Sequence, residues 1–412
     1  MVTFGAGAAL DGVQAGGAKG DRSSEVVRRL QATADDSQRW VRDFLRRSKA
    51  DFQPFWIVDA IRVTGSRDLL DPLAARPEVS RVDTVEVIPA PQQAARSTAD
   101  LLAAASVKWN IDRIGAPKVW ATGNTGHGVV VADMSSGVQL DHPALAARYR
   151  SDYGWYDPRD HSPAPKDAVG TGTGTTGIMV GGEGIGVAPG ARWIAAKACD
   201  LDGCAEPDII AAGQWLVCPT DTDGANPDCS KAPDIVNIGW NSGSGTAFFD
   251  DVVRAFHAAG ILAFGGIGNN GPQCGTATSP ADSTAGVIAS GATDESDVLA
   301  SFSSRGPAAD GRVKPDLVAP GAGITTSDHH GGYTTRDGTQ FASAHTAGVA
   351  ALILNARPQI AYAEMLSVLS SGASAPAKGG TSNCGGIDSG TAPNNESGYG
   401  LLNAFHSVEA TR

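Results

Sequence analysis

The chain has 412 residues, 52 of them Gly and 23 Pro, with 42% hydrophobic residues, 18% charged residues and a net charge of −12. That hydrophobic share excludes a disordered chain, Gly without a three-residue period excludes collagen, and the longest apolar runs, such as Ala347 to Leu354, are far too short to cross a bilayer. Residues 1–95 hold 13 basic and 13 acidic side chains and residues 96–412 hold 19 and 31, so no basic stripe exists and nucleic acid is not an expected partner.

A chain of this length suggests two or three domains. So much Gly points to an α/β, enzyme-like fold rich in tight turns. Residues 1–22 read as a disordered lead. Met1 to Asp21 lacks the basic start and long apolar run of a signal peptide. The expectation is a cytoplasmic protein if the chain is complete and an extracellular one if a signal was removed. Val26, Val27, Leu30, Trp40, Val41, Phe44 and Leu45 give a helical pattern over 24–48. Phe55 to Val63 reads as one strand, Arg67 to Ala75 as a helix, and Val79 to Ile88, alternating at Val82, Val85 and Val87, as a second strand. Residues 23–90 thus predict a small α+β domain. Pro89-Ala-Pro-Gln-Gln-Ala opens a linker over 91–106.

From residue 107 to 412, short apolar runs alternate with helical stretches. Val129–Ala132, Trp193–Lys197, Ile235–Ile238, Ile261–Phe264 and Val287–Ser290 read as strands, and Pro207–Leu216 and Asp250–Ala259 as helices between them. The alternation predicts a mostly parallel sheet covered on both faces, with the functional site in loops at the strand ends. Cys199 and Cys204 bracket Asp200-Leu-Asp-Gly203, and Cys218 and Cys229 bracket a second polar loop. With Cys274 and Cys384 the count is even, which favours disulfides and an oxidising compartment. Free thiols are the alternative, and zinc is the weakest reading because no Cys-x-x-Cys occurs.

Several motifs in order carry a resemblance. Gly338-Thr-Gln-Phe-Ala-Ser-Ala-His-Thr-Ala-Gly-Val-Ala-Ala-Leu-Ile-Leu354, Lys314-Pro-Asp-Leu-Val-Ala-Pro-Gly321, Ala300-Ser-Phe-Ser-Ser-Arg-Gly-Pro307, Gly184-Ile-Gly-Val-Ala-Pro-Gly-Ala191 and Gly268-Asn-Asn-Gly271 resemble core segments of the subtilases, the subtilisin-like serine proteases, nearest their bacillopeptidase F-like branch. The resemblance covers about 107–408 and implies a subtilisin-like three-layer fold. Residues 24–88 look like the family's inhibitory, chaperoning propeptide.

The family cuts with Asp, His and Ser: Ser attacks, His takes its proton, Asp orients His. Matched to the family motifs, Val129-Val-Val-Ala-Asp-Met-Ser-Ser-Gly-Val138 puts Ser135 at the Asp position. Thr171-Gly-Thr-Gly174 puts Thr171 at the His position, and Gly338-Thr-Gln-Phe-Ala342 puts Gln340 at the nucleophile. Gln is no ordinary nucleophile, Thr no base near neutral pH, and Ser135 has no imidazolium to stabilise. Gly174, Phe341, Ala344 and Gly239 also depart from the family pattern, a spread expected of natural divergence rather than a designed knock-out. Asn269 matches the family's oxyanion Asn and could still donate to a carbonyl.

Other groups could substitute. Asp133 shares a strand face with Ser135, though a hydrogen-bonded polar residue under the sheet end is the plainer reading. His329 and His330 sit on the loop leading to Gln340, where a solvated pair is the plainer reading, and Arg336 with Asp337 precedes the Gly-Thr-Gln turn. His142 and His345 read as structural. Val236 to Asn241 looks like a sheet edge that would bind peptide main chain, with Gly239, Trp240 and Asn241 lining it.

The leading expectation is therefore a pseudoprotease that binds a peptide-like or small-molecule ligand, or a partner, without hydrolysis. One alternative is a cleft reused for cyclisation or rearrangement of a peptide-derived or small natural product. The second is residual serine-type endopeptidase activity. Without self-cleavage the propeptide-like domain would stay attached, its tail near Ile88 to Gln92 tending to occupy the cleft. No metal site or cofactor is expected; the short Gly181 to Ile185 connection leaves little room for the family's usual calcium loop.

Overall fold

The computed structural model describes residues 1–13, 17–90 and 106–411, so nearly all of the expected linker lies outside the described residues. The start of the chain is a strand rather than a disordered lead. β1 (Val2–Phe4) pairs through Val2 with both Ile61 and Val82, inside a four-stranded sheet. Three residues in a Gly/Ala-rich context carry no readable period, and tertiary pairing decides their state. α1 (Lys19–Ser37) and α2 (Arg39–Arg47) follow, burying Val26, Leu30 and Ala34, then Val41 and Leu45, at helical spacing.

The segment expected as one strand is a hairpin. β2 (Asp51–Phe55) and β3 (Ala60–Thr64) run antiparallel with Phe55 opposite Ala60. Asp59 turns the chain at a positive φ of 43°, which no continuous strand contains. Ser37 Oγ (2.7 Å) and Gln38 Nε2 (2.9 Å) donate to its carboxylate. α3 (Leu70–Ala74) and β4 (Val79–Val82) complete a β-α-β-β-α-β unit with strand order β2-β3-β1-β4, the arrangement of ferredoxin-like folds. β5 (Val87–Ile88) leaves that unit altogether.

In the second part, α4 (Trp109–Arg113) and α5 (Ala116–Trp120) precede β6 (Val130–Ser135), β7 (Trp155–Tyr156), α6 (Thr171–Val180), β8 (Arg192–Lys197) and β9 (Cys204–Ala205). α7 (Glu206–Val217) starts with Pro207 and two acidic residues, which suit a helix N-terminus. β10 (Ile235–Ile238), α8 (Asp250–Ala259), closed by Gly260 at φ 79°, and β11 (Leu262–Gly266) come next. β12 (Ile288–Thr293), β13 (Leu317–Pro320), the hairpin β14 (Ile324–Ser327) and β15 (Tyr333–Arg336), and α9 (Thr339–Ala356), α10 (Tyr362–Gly372) and α11 (Ala404–Glu409) finish the chain.

Seven strands form one sheet in the order β13-β12-β11-β10-β6-β8-β7, every pairing parallel. One core packs α9 and α6 on one face; a second packs α7 and α8 on the other. α9 is buried on all sides from Thr339 to Leu354, as befits a helix apolar all round. The second core is shared with the N-terminal unit: Met1, Val26, Leu30, Phe55 and Ile57 join Trp215, Val252 and Phe256. Full burial of Phe55 alone is worth about 1.5–3 kcal/mol. Trp56 N donates to Gln214 Oε1 at 2.9 Å, and Lys19 Nζ reaches Asp234 at 2.6 Å, fixing the orientation of this docking.

All six cysteines are paired: Cys199–Cys204, Cys218–Cys229 and, across 110 residues, Cys274–Cys384. Among the described residues no helix is long and apolar enough to cross a membrane.

Candidate functional site at the carboxyl end of the sheet

β6 is where the sheet changes direction of growth: β8 and β7 lie on one side, β10 to β13 on the other. Sheets of this kind bind ligands outside the carboxyl ends of the strands at that switch. Ser135 is the last residue of β6, and Gly239 follows the last residue of β10. A Cβ on Gly239 would stand 2.6 Å from Ser135 Cβ and 3.7 Å from Thr171 Cγ2, so Ser135 and Thr171 both close on that glycine. Thr171 is buried at the first position of α6.

Beneath them lies Asp133, fully buried. Ser135 Oγ donates to its Oδ1, and Thr175 Oγ1, one turn into α6, donates to its Oδ2 at 2.5 Å. Burial pushes the Asp133 carboxyl up to about 7, against the opposing pull of these hydroxyls. Asn237 sits opposite Asp133 in the β10–β6 ladder and accepts from Ser343 Oγ at 2.8 Å. A Cβ on Gly172 would fall 2.6 Å from both Asp133 Oδ1 and Ser135 Oγ, so α6 approaches β6 this closely only through a glycine.

Gln340, at the second position of α9, is 2% exposed. Asn269 Oδ1 accepts from Thr339 N at 2.9 Å, and Asn269 Nδ2 donates to Gln340 Oε1 at 3.1 Å. The amide expected to face a carbonyl is thus turned onto Gln340. Gln340 Nε2 is buried and has no hydrogen-bond partner. Asn241 Nδ2 donates to Gly266 O at 2.8 Å, and a Cβ on Gly266 would touch Gln340 N at 2.8 Å, which ties the exit of β10 to the start of α9.

The expected peptide-binding segment spans the end of β10 and the residues that follow it. β10 is the fourth of seven strands, so the main chain of Ile235–Ile238 is already paired on both sides, and Gly239, Trp240 and Asn241 lie beyond that pairing. Trp240, 1% exposed, packs on Phe248 and Phe249 in the core rather than lining a groove. An apolar strand ending in Gly reads alike at an edge or in the middle, and only the pairing tells them apart. β9 lies outside this sheet, in a two-stranded pairing with β5. Val87 and Ile88 of β5 pair antiparallel with Ala205 and Cys204. Cys204 is disulfide-linked to Cys199, whose N–H donates to Ser135 O at 2.9 Å. The tail of the N-terminal unit therefore runs beside the strand end that carries Ser135, as far as Ala90; residues 91 and 92 lie outside the described residues.

His329 and Arg336 both press on Gly170, the residue before Thr171: a Cβ there would meet His329 Nδ1 at 2.4 Å and Arg336 Nη2 at 2.6 Å. Arg336 is buried and lies 3.5 Å from Asp328 Oδ2, while His330 projects outward and contacts Asp328 Oδ1 at 2.9 Å. Asp337 accepts from Gly323 N at 2.6 Å. His345 is fully buried between Asn110 Nδ2 (2.7 Å) and Phe341 O (2.8 Å), and burial lowers its ionisation to about 4. His142 has both ring nitrogens engaged, by Ala144 N and Gly332 O.

A parallel α/β sheet with hydroxyl and amide side chains gathered at its switch point, and an α+β unit laid across two of its helices, defines the architecture of a subtilisin-like peptidase. Residues 126–400 match the model of the subtilase family, and the chain belongs to that family. It is 37% identical over 423 residues to "Bacillopeptidase F" of Bacillus subtilis (strain 168), covering 94% of this chain and 29% of that protein. It is 32% identical over 262 residues to "Subtilisin E" of the same strain, covering 62% of this chain and 63% of that protein, and 32% identical over 260 residues to "Subtilisin Savinase" of Lederbergia lenta, covering 62% and 87%.

Proposed function

We propose that this subtilase is a pseudoprotease: its cleft binds a peptide-like ligand without hydrolysing it. The observation that carries the reading is Gln340. It stands where the family resemblance places the nucleophile, occupies Asn269 with its Oε1, and holds a buried, unpartnered Nε2 that can donate to a ligand carbonyl. A buried donor left unmade costs about 1–3 kcal/mol, which a bound carbonyl would recover. Thr171 and Ser135 offer no base near neutral pH, and Asp133 is sealed beneath them. The N-terminal unit, propeptide-like in this reading, stays covalently attached.

The full chain, incubated with fluorogenic peptides and an unstructured protein, is expected to give no turnover above buffer. It is expected to bind a peptide about 2- to 10-fold more tightly than the Gln340→Ala variant, the worth of one hydrogen bond. Turnover that disappears in Gln340→Ala refutes the proposal. One observation favours a second reading, a non-proteolytic reaction in the cleft: Asp133 ionises at about 7 directly under the Ser135 hydroxyl. That reading requires a small-molecule conversion that Asp133→Asn abolishes while leaving peptide binding intact.

A further inference from the structure

We propose that Asp328, His329 and His330, at the tip of the β14–β15 hairpin, bind one divalent transition-metal cation of the zinc class. Sequence alone suggested no metal ligands here. The three ligand atoms, one carboxylate oxygen and two imidazole nitrogens, lie within 4.8 Å of one another, and no other such group of three exists among the described residues. Asp328 Oδ1 is 2.9 Å from His330 Nδ1 and 3.6 Å from His329 Nδ1. Ligand atoms about 2.0–2.1 Å from a tetrahedral zinc sit roughly 3.3 Å apart, a spacing these distances bracket.

His329 Nδ1 is buried and makes no hydrogen bond, so a ring nitrogen faces the cluster with its lone pair or its proton unspent. The two rings lie 3.9 Å apart between centroids, which brings both nitrogens to one carboxylate. Arg336 does not compete for the same atom: it faces Asp328 Oδ2, leaving Oδ1 to the imidazoles. Asp167, buried nearby, acts electrostatically on both His329 and Arg336, so two carboxylates and one guanidinium leave a net negative charge for a cation. Two nitrogens and one oxygen suit zinc, cobalt or nickel, whereas calcium and magnesium require oxygen cages. Three protein ligands leave the fourth position to solvent, on the side where His330 is 79% exposed. Because His329 also lies on Gly170, the cation would sit at the start of α6.

Titrating the full chain with Co²⁺ is expected to give one equivalent of binding with the visible absorption of a tetrahedral nitrogen–oxygen site, displaced by Zn²⁺. Zn²⁺ should also raise the thermal midpoint. His330→Ala, at an exposed position, should weaken binding at least about 100-fold and abolish the rise; loss of an outer-shell partner alone costs 10- to 100-fold. His406→Ala, a surface histidine elsewhere, should change neither. Absence of saturable binding, or binding unaltered in both His330→Ala and His329→Gln, overturns the proposal. Peptide binding is read separately, so either proposal can fail alone.

Discussion

Replacing Asp133 by Asn should remove a pH-dependent cost built into the floor of the site. An ordinary Asp ionises at 3.8 and this one at about 7. Each pH unit of that gap is worth about 1.4 kcal/mol, so the whole is about 4 kcal/mol. The sign follows from proton counting. Below about pH 4 the carboxyl is protonated whether the chain is folded or not, and it contributes no pH dependence. Between about 4 and 7 the unfolded chain releases a proton that the folded chain keeps, so stability falls by about 1.4 kcal/mol per unit as pH rises. Above 7 the full loss persists. Asn carries no such proton; like the protonated carboxyl it presents a donor to Ser135 or Thr175, one of which must turn to accept, so that cost of about 1 kcal/mol is common to both proteins below about pH 7. Urea unfolding of both proteins from pH 4 to pH 8 measures the difference directly. The wild type should lose about 4 kcal/mol relative to Asp133→Asn across the range and be the less stable of the two above neutrality. A difference that stays constant within about 1 kcal/mol, or that turns in favour of the wild type with rising pH, refutes the assignment of a buried, protonated carboxyl.

Arg305→Met should cost about 3–5 kcal/mol by calorimetry, because it leaves Glu396, 1% exposed and 2.6 Å from the guanidinium, as an unpaired buried charge. Cys274→Ser with Cys384→Ser should cost about 4–5 kcal/mol through the 110-residue loop they close, seen as a lower urea midpoint under oxidising conditions. Gln38→Ala removes the donor to Phe55 O (3.0 Å) and Asp59, so amides of β2 and β3 should exchange faster, by about 1–3 kcal/mol of lost protection, before those of β6 or β10 change. If the proposed function holds, placing Asp, His and Ser at 135, 171 and 340 together should give weak peptide hydrolysis that rises at least about tenfold in kcat/KM on adding Asp133→Val. Two carboxylates in that contact cannot both ionise.

The parallel sheet is legible because its strands are short, β-branched and separated by helices of full length; the pattern over Asp250–Ala259 matches α8 to the residue. Strand order is not, since a buried run such as Ile235–Ile238 has the same pattern in any position. β1 and β9 carry no readable signal for a different reason. Three and two residues long, they exist only through their partners across the fold. The loop cysteines disclosed two disulfides by proximity, while Cys274 and Cys384 carry no mutual signal along the chain. Within the site, side-chain types at Ser135, Thr171 and Gln340 were visible. What each one touches was not, as the pairing of Asn269 with Gln340 illustrates.

The packing around Ser135 sets what a substitution at that position must displace. A side chain at 239 would strike Ser135 Cβ at 2.6 Å, one at 172 would strike Ser135 Oγ and Asp133 Oδ1 at 2.6 Å, and Asp133 already holds the hydroxyl from below. A longer, charged residue at 135 must displace at least one of these neighbours and then share the burial that raises Asp133 to about 7. Overpacking of this kind costs about 1–3 kcal/mol before any chemistry is gained. Positions 133, 135, 172 and 239 therefore act as one unit, in which the small residues are fitted to a buried, hydrogen-bonded floor. A change at any of them is felt at the others, so their effects on folding should be strongly non-additive.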